Sequence, residues 1–138
     1  MTHVDIFTDG AARGNPDGPG GYGAIIRYVD KNGRVYEREL SAGYVRTTNN
    51  RMELMAVIAA FERLNKSCDV TVHSDSQYAI GVLSGQMKAK KNLNLIERYK
   101  QVSDGKDVSF KWVRGHNGNH WNEVCDQMAH AEYENMKI

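Results

Sequence analysis

The sequence predicts an α/β fold: a five-stranded mixed sheet, three antiparallel strands followed by two parallel ones, with helices on both faces. Three observations carry this. Extended segments separated by turn signals follow one another through the first 44 residues, a helix-length apolar stretch then begins near Met52, and strand and helix patterns alternate beyond it. At 138 residues, with 41% hydrophobic and 25% charged residues, the chain reads as one domain, 1–138, able to bury a core without staples.

The first strand is His3 to Thr8, rich in β-branched and aromatic residues, and Asp9 stands at its tip before Gly10 and a glycine-rich loop. Within that loop Gly18-Pro19-Gly20-Gly21-Tyr22-Gly23 matches the dinucleotide-binding glycine pattern literally. That reading fails, because the pattern needs a helix after it and Ala24 to Val29 has strand composition. The turn Asp30-Lys31-Asn32-Gly33 leads to a third strand, Arg34 to Tyr44, where Tyr36, Arg38, Leu40, Ala42 and Tyr44 share a face at period two.

A helix opens within Thr47 to Leu54 and runs to about Leu64, apolar nearly all round, with Glu53 as its exception. Val70 to His73 is the fourth strand, and Ser74-Asp75-Ser76 starts a short helix through Leu83. Gly85 to Asn92 is polar and basic, with Lys88, Lys90 and Lys91. A helix from Leu93 to about Val102, a fifth strand from Val108 to Val113, the loop Arg114 to Asn119 and a C-terminal helix from about Asn122 complete the chain.

No apolar run approaches the ~20 residues of a membrane span, and no basic start precedes an apolar stretch, so the expectation is a cytoplasmic protein. Cys68 and Cys125 lie far apart and outside any Cys-x-x-Cys pair, which points to buried thiols. A net charge of +1 carries no global basic signal; a polyanionic partner must be argued from local clusters.

Four carboxylates stand out. Asp9 and Asp75 each end a strand, and crossover handedness makes the fourth strand parallel to the first, bringing the two tips together. Each has an ordinary alternative: a turn for Asp9-Gly10, a helix cap for Asp75, a capping box Asn50-Arg51-Met52-Glu53 for Glu53, and a solvated helix position for Asp126. Clustered, the four would repel one another strongly, an arrangement that makes sense around hard divalent cations, and two magnesium ions can clamp a phosphodiester for in-line displacement. A zinc site from His116, His120 and Cys125 fits no known spacing.

Phe7-Thr8-Asp9-Gly10, Gly14-Asn15-Pro16, Gly18 to Gly23, Thr47 to Leu54, Thr71 to Tyr78 and Trp112-Val113-Arg114-Gly115-His116 resemble type 1 ribonuclease H almost from end to end. The resemblance implies an endoribonuclease that cuts the RNA strand of RNA/DNA hybrids, leaving 5′-phosphate and 3′-hydroxyl ends. It implies a monomer that binds the hybrid and no membrane. It makes Asp9, Glu53, Asp75 and Asp126 the carboxylates that hold two Mg2+ ions with substrate, Mn2+ being an alternative, and His116 the loop histidine that assists proton transfer or product release. Asn15, Asn49, Asn50 and Gln77 are then substrate contacts at the hybrid, and Arg46, Thr48 and Asn92 a pocket for a DNA-strand phosphate.

Two departures accompany it. Asp17 is an extra residue in the first hairpin loop, beside Asn15. Gly85 to Asn92 is all that remains where many members carry a long basic protrusion, so this looks like the handle-less form. The competing readings are a non-catalytic nucleic-acid-binding module of the same fold, and another nuclease or transposase of the wider ribonuclease H-like superfamily. Intact carboxylates argue against the first, the Asn-Asn-Arg-Met-Glu-Leu segment and Gly-His loop against the second.

Overall fold

The structure is a computed structural model that describes residues 2–14, 17–65, 67–114, 119–134 and 136. Its elements are β1 (Thr2–Ala12), β2 (Gly18–Val29), β3 (Val35–Thr47), α1 (Asn49–Phe61), β4 (Cys68–Ser74), α2 (Gln77–Ser84), α3 (Leu93–Val102), β5 (Asp107–Trp112) and α4 (His120–Ala131). The sheet order is β3-β2-β1-β4-β5, antiparallel from β3 to β1 and parallel from β1 through β4 to β5. This is the expected mixed sheet.

Alternation along the central strand divides the molecule into layers. Val4 and Ile6 of β1, with Val70 and Val72 of β4, face one way and meet Leu54, Val57, Ile58 and Phe61 of α1 and Leu95, Ile96 and Tyr99 of α3. Phe7 faces the other way and packs with Ile25 and with Cys125 of α4. Helix α1 is therefore buried over nearly its whole length, and each large side chain sealed there contributes roughly 1.5–3 kcal/mol.

The segment Gly18 to Gly23, expected as a loop, is the first half of β2, paired to β1 through Asp9↔Gly23 and Ala11↔Gly21. The glycines are there for helix packing. A Cβ at Gly23 would lie 2.5 Å from the Cys125 carbonyl oxygen, and one at Gly21 would lie 2.6 Å from that of Ala129, so α4 sits directly on a strand stripped of side chains. Composition alone hides this, because the same glycines that mark a loop also mark close backbone approach. Asp17 adopts a left-handed backbone with φ 67 and its N–H donates to the Thr47 carbonyl at 3.1 Å, which accommodates the additional loop residue.

The same argument applies at Gly10, where a Cβ would stand 2.4 Å from both the Glu53 nitrogen and the Met52 carbonyl carbon. Strand β1 and the start of α1 thus touch backbone to backbone. Gly10→Ala is expected to destabilise the protein by about 1–3 kcal/mol, the usual cost of overpacking, because neither backbone can yield. A urea titration checks this: an unchanged midpoint would mean the contact is loose.

Candidate active site

Local structure removes the competing roles of the carboxylates. Helix α1 is capped by Thr48, whose Oγ1 accepts from the Arg51 N–H at 3.1 Å, not by Asn50. Glu53 consequently lies beyond the first turn and is not a capping-box partner; it is buried at 6% exposure. Helix α2 is capped by Ser76, whose Oγ accepts from Ala79 N–H, while Ser74 Oγ accepts from Ser76 N–H. Asp75 is left out of the cap.

The parallel register of β1 and β4 pairs Phe7 with His73, and their rings stack with centroids 4.4 Å apart. Two residues further along each strand, the same offset sets Asp9 beside Asp75. Glu53 comes from α1 across the Gly10 contact, and carboxylate oxygens of Asp9, Glu53 and Asp75 all lie within 4.8 Å of one another. Asp126, on α4, hydrogen-bonds to Asp9 side chain to side chain and lies 3.2 Å from His130 Nε2. It is more open than Asp9 and Glu53, with its side chain 37% exposed. Three carboxylates form a tight cluster and the fourth stands at its rim.

Burial and the neighbouring carboxylates raise the Asp9 pKa from 3.8 to about 10, with Glu53 the largest charge contribution. Glu53 is likewise pushed well above the carboxylate range, first by burial and then by Asp75, opposed by the Gly10 N–H. That N–H also donates to Asp9 Oδ1 at 3.0 Å. Glu53 Oε1 is buried with no hydrogen-bond partner among the described residues. An orphaned buried oxygen in a set of oxygen donors is what a hard divalent cation would satisfy, so the residues present fit such an ion.

Two residues to which the sequence reading gave no role of their own hold the strand tips. Asn122, 1% exposed on α4, donates from Nδ2 to the Thr8 carbonyl at 3.2 Å and to the His73 carbonyl at 3.1 Å, bridging β1 and β4 just before Asp9 and Asp75. Trp112 donates from Nε1 to the Asp75 carbonyl at 3.2 Å. The spacing Asn122, Cys125, Ala129 is the buried stripe of α4, and an asparagine on it was the available signal.

Of the expected substrate residues, Asn49 and Asn50 open α1, Gln77 opens α2, and Arg46 lies near the end of β3. Arg46 lines a cavity of about 290 Å3 with Arg51 and Asn94. Arg51 donates to Asn92 Oδ1 at 3.2 Å and to Asn94 Oδ1 at 3.4 Å, and Asn92 Nδ2 donates to the Tyr78 hydroxyl at 3.0 Å. Arg51 is a third residue to which the sequence reading gave no role of its own: it links α1 to the start of α3. His116 and Asn15 lie outside the described residues.

The sequence profile of the family described as RNase H matches residues 1–134. The chain belongs to the RNase H family. A ribonuclease H of Lachnoclostridium phytofermentans is 49% identical over 140 residues, covering 91% of this chain and 89% of the relative. One from Escherichia coli K12 is 44% identical over 151 aligned positions, covering all of this chain and 94% of the relative. That span exceeds this chain's 138 residues, so the relative carries positions this RNase H lacks. Among solved structures, the N-terminal RNase H domain of a Mycobacterium tuberculosis protein superposes with a TM-score of 0.81 at 27% identity, over 97% of this chain and 95% of that one. LC11-RNase H1, solved in complex with RNA/DNA hybrid, gives 0.74 at 25% identity, over 95% and 96%. The connection between α2 and α3, Gly85 to Asn92, contains no helix, in keeping with the handle-less form of this RNase H.

Because Asp9 titrates higher in the folded chain than unfolded, the folded state holds the extra proton between about pH 4 and about pH 10. Stability of the metal-free protein therefore falls as pH rises through that window. In chelator, the melting temperature is expected to drop between about pH 5 and about pH 9, and Asp9→Asn to flatten the drop and raise the melting point at the alkaline end by several degrees. Thermal melts of both proteins across pH check this, and parallel curves would exclude the assigned coupling.

Proposed function

We propose that this RNase H is an endonuclease that hydrolyses the RNA strand of RNA/DNA hybrids, leaving 5′-phosphate and 3′-hydroxyl ends, with magnesium as its resident ion and manganese as a substitute. The observation that carries the reading is the cluster of Asp9 and Asp75, at two adjoining strand tips, with Glu53 of α1, Asp9 and Glu53 being buried, within a family whose relatives are named ribonuclease H. The hybrid bound to LC11-RNase H1 supports the substrate class.

In this reading Asp9, Glu53, Asp75 and Asp126 hold the cations. Divalent ions, when bound there, supply Lewis-acid stabilisation of phosphodiester oxygens and lower the pKa of water. The protein residues do the rest. Asn122 and Trp112 fix the tips, so the carboxylates cannot spread to relieve their repulsion. Asn15, Asn49, Asn50 and Gln77 contact the hybrid, where ribose 2′-hydroxyls both donate and accept. Arg46, Thr48 and Asn92 take a DNA-strand phosphate, with Thr48 still able to donate its hydroxyl hydrogen while its oxygen caps α1. His116 moves a proton at the scissile phosphate or assists product departure. The protein acts as a cytoplasmic monomer, and its 138 residues work as one domain.

A non-catalytic module of the same fold is disfavoured by the site itself, since buried carboxylates hinder polyanion binding unless cations neutralise them. The test is to incubate labelled RNA/DNA, RNA/RNA and DNA/DNA duplexes with magnesium or with chelator. Cutting of RNA in the hybrid alone, abolished by chelator and nearly abolished in Glu53→Gln, is expected. Cleavage that persists in chelator, or equal cutting of all three duplexes, would overturn the reading. His116→Ala should slow turnover by about 10²–10⁴-fold, the usual contribution of a proton-transfer group, and less than the loss of Glu53; single-turnover rates compare the two.

A further inference from the structure

Two histidines and two aspartates meet on the face of the sheet that α4 covers only in part. Period-two alternation puts His3 and Asp5 of β1 on the side of Phe7, and the parallel register, His3↔Asp69 and Phe7↔His73, brings Asp69 and His73 of β4 to the same side. Helix α4 packs over Phe7 and Ile25. Nearer the start of β1, His3 is exposed, while Asp5, Asp69 and His73 are half-buried.

The donor atoms converge on one carboxylate. Asp5 Oδ1 lies 2.8 Å from His73 Nε2 and 3.4 Å from His3 Nε2. Asp69 Oδ2 lies 3.1 Å from His3 Nδ1, and a carboxylate in that place favours the tautomer with its proton on Nδ1. The Nε2 lone pair of His3 is then directed at an anionic oxygen, an arrangement that a cation between them satisfies. Arg27, opposite Asp5 on β2, is paired with Glu37 at 3.0 Å and lies over the Trp121 ring, so its charge is engaged elsewhere.

The surroundings hold the group in place and leave it a way in. The His73 ring stacks on Phe7, Phe7 stacks on Trp121 with centroids 5.0 Å apart, and the His73 carbonyl accepts from Asn122. His3 borders a cavity of about 530 Å3 with Thr2, Tyr28 and Asn32, which gives an ion a path from solvent. Asp5 stands four residues before Asp9 along β1, about 13 Å at the rise of a strand, and Phe7 lies between them. The two places also differ in chemistry. An all-oxygen set suits magnesium, whereas imidazole nitrogens suit zinc and its transition-metal neighbours.

We propose that His3, Asp5 and His73 form a second metal site, selective for zinc over magnesium, with Asp69 as the carboxylate that orients His3. Three protein ligands with a fourth position open to water make a tetrahedral zinc site. His3, exposed near the start of β1, is the ligand free to adjust to bonds of about 2 Å. Bound there, the ion straps β1 to β4 below the tips that carry Asp9 and Asp75.

The test is isothermal titration of the full chain with Zn2+, in an Asp9→Asn background and with excess magnesium, so that the acidic cluster does not take up the zinc. One zinc per chain is expected, and X-ray absorption at the zinc edge should show two imidazole ligands. Asp69→Asn should weaken zinc binding by about 10–100-fold, the usual cost of losing an orienting partner, and His3→Gln and His73→Gln should each weaken it by more. Magnesium-dependent cleavage of hybrid by His3→Gln with Asp9 intact, measured without zinc, should match that of the parent. No zinc uptake in the presence of magnesium overturns the proposal, as does uptake that survives either histidine substitution or an absorption spectrum with oxygen ligands alone. Should His73→Gln fail to fold, the exposed His3 and Asp69→Asn decide the matter by the same titration.

Discussion

Three carboxylates confined within 4.8 Å, two of them buried, are the constraint around which the rest of the molecule is arranged. Left to themselves the groups would separate or reach for water, since burial and like charge both penalise their ionised forms. They stay together because they sit on elements that have no freedom to part. Gly10 brings the backbone of β1 against the backbone of α1, Asn122 bridges the carbonyls ahead of Asp9 and Asp75, and Trp112 grips the Asp75 carbonyl. A protonated or cation-filled cluster removes the repulsion, and the protein that lacks cations must hold protons instead.

The glycines of β2 belong to the same arrangement. By letting α4 lie directly on the strand, Gly21 and Gly23 bring Asp126 close enough to share a hydrogen bond with Asp9. Asp126 nonetheless keeps contact with solvent and with His130, whereas Asp9 and Glu53 are buried. This gradient separates a water-poor floor from a solvated edge.

How much of this was readable beforehand follows from where the information lies. Strand alternation and the apolar character of α1 are local, so element order and the meeting of Asp9 with Asp75 could be reasoned from period and crossover hand. Local signals mislead where one residue type serves two purposes. Gly18 to Gly23 carries the composition of a loop yet is strand, because what it accommodates is a helix more than 100 residues further along the chain. Asn50 had the spacing of a cap, but Thr48 begins the helix two residues earlier, which only the backbone hydrogen bond reveals. Asn122 and Arg51 are long-range connectors whose partners, Thr8, His73 and Asn92, are unrelated to them by any sequence spacing.

A chain with a net charge of +1 and a buried acidic cluster must approach a polyanion through the distribution of its cations, not through their number. Three arginines are committed within the fold: Arg13 donates to the Met136 carbonyl beyond α4, Arg51 joins α1 to the start of α3, and Arg98 pairs with Glu62. Each of these three makes directional bonds that hold two segments together, for which a planar guanidinium is suited. The lysines of the α2–α3 connection are exposed and make no such bonds with the described residues, so their charge remains available to an external partner. The short connection thus presents positive charge beside Asn50 and Asn92 without drawing on Arg51, which joins α1 to the start of α3.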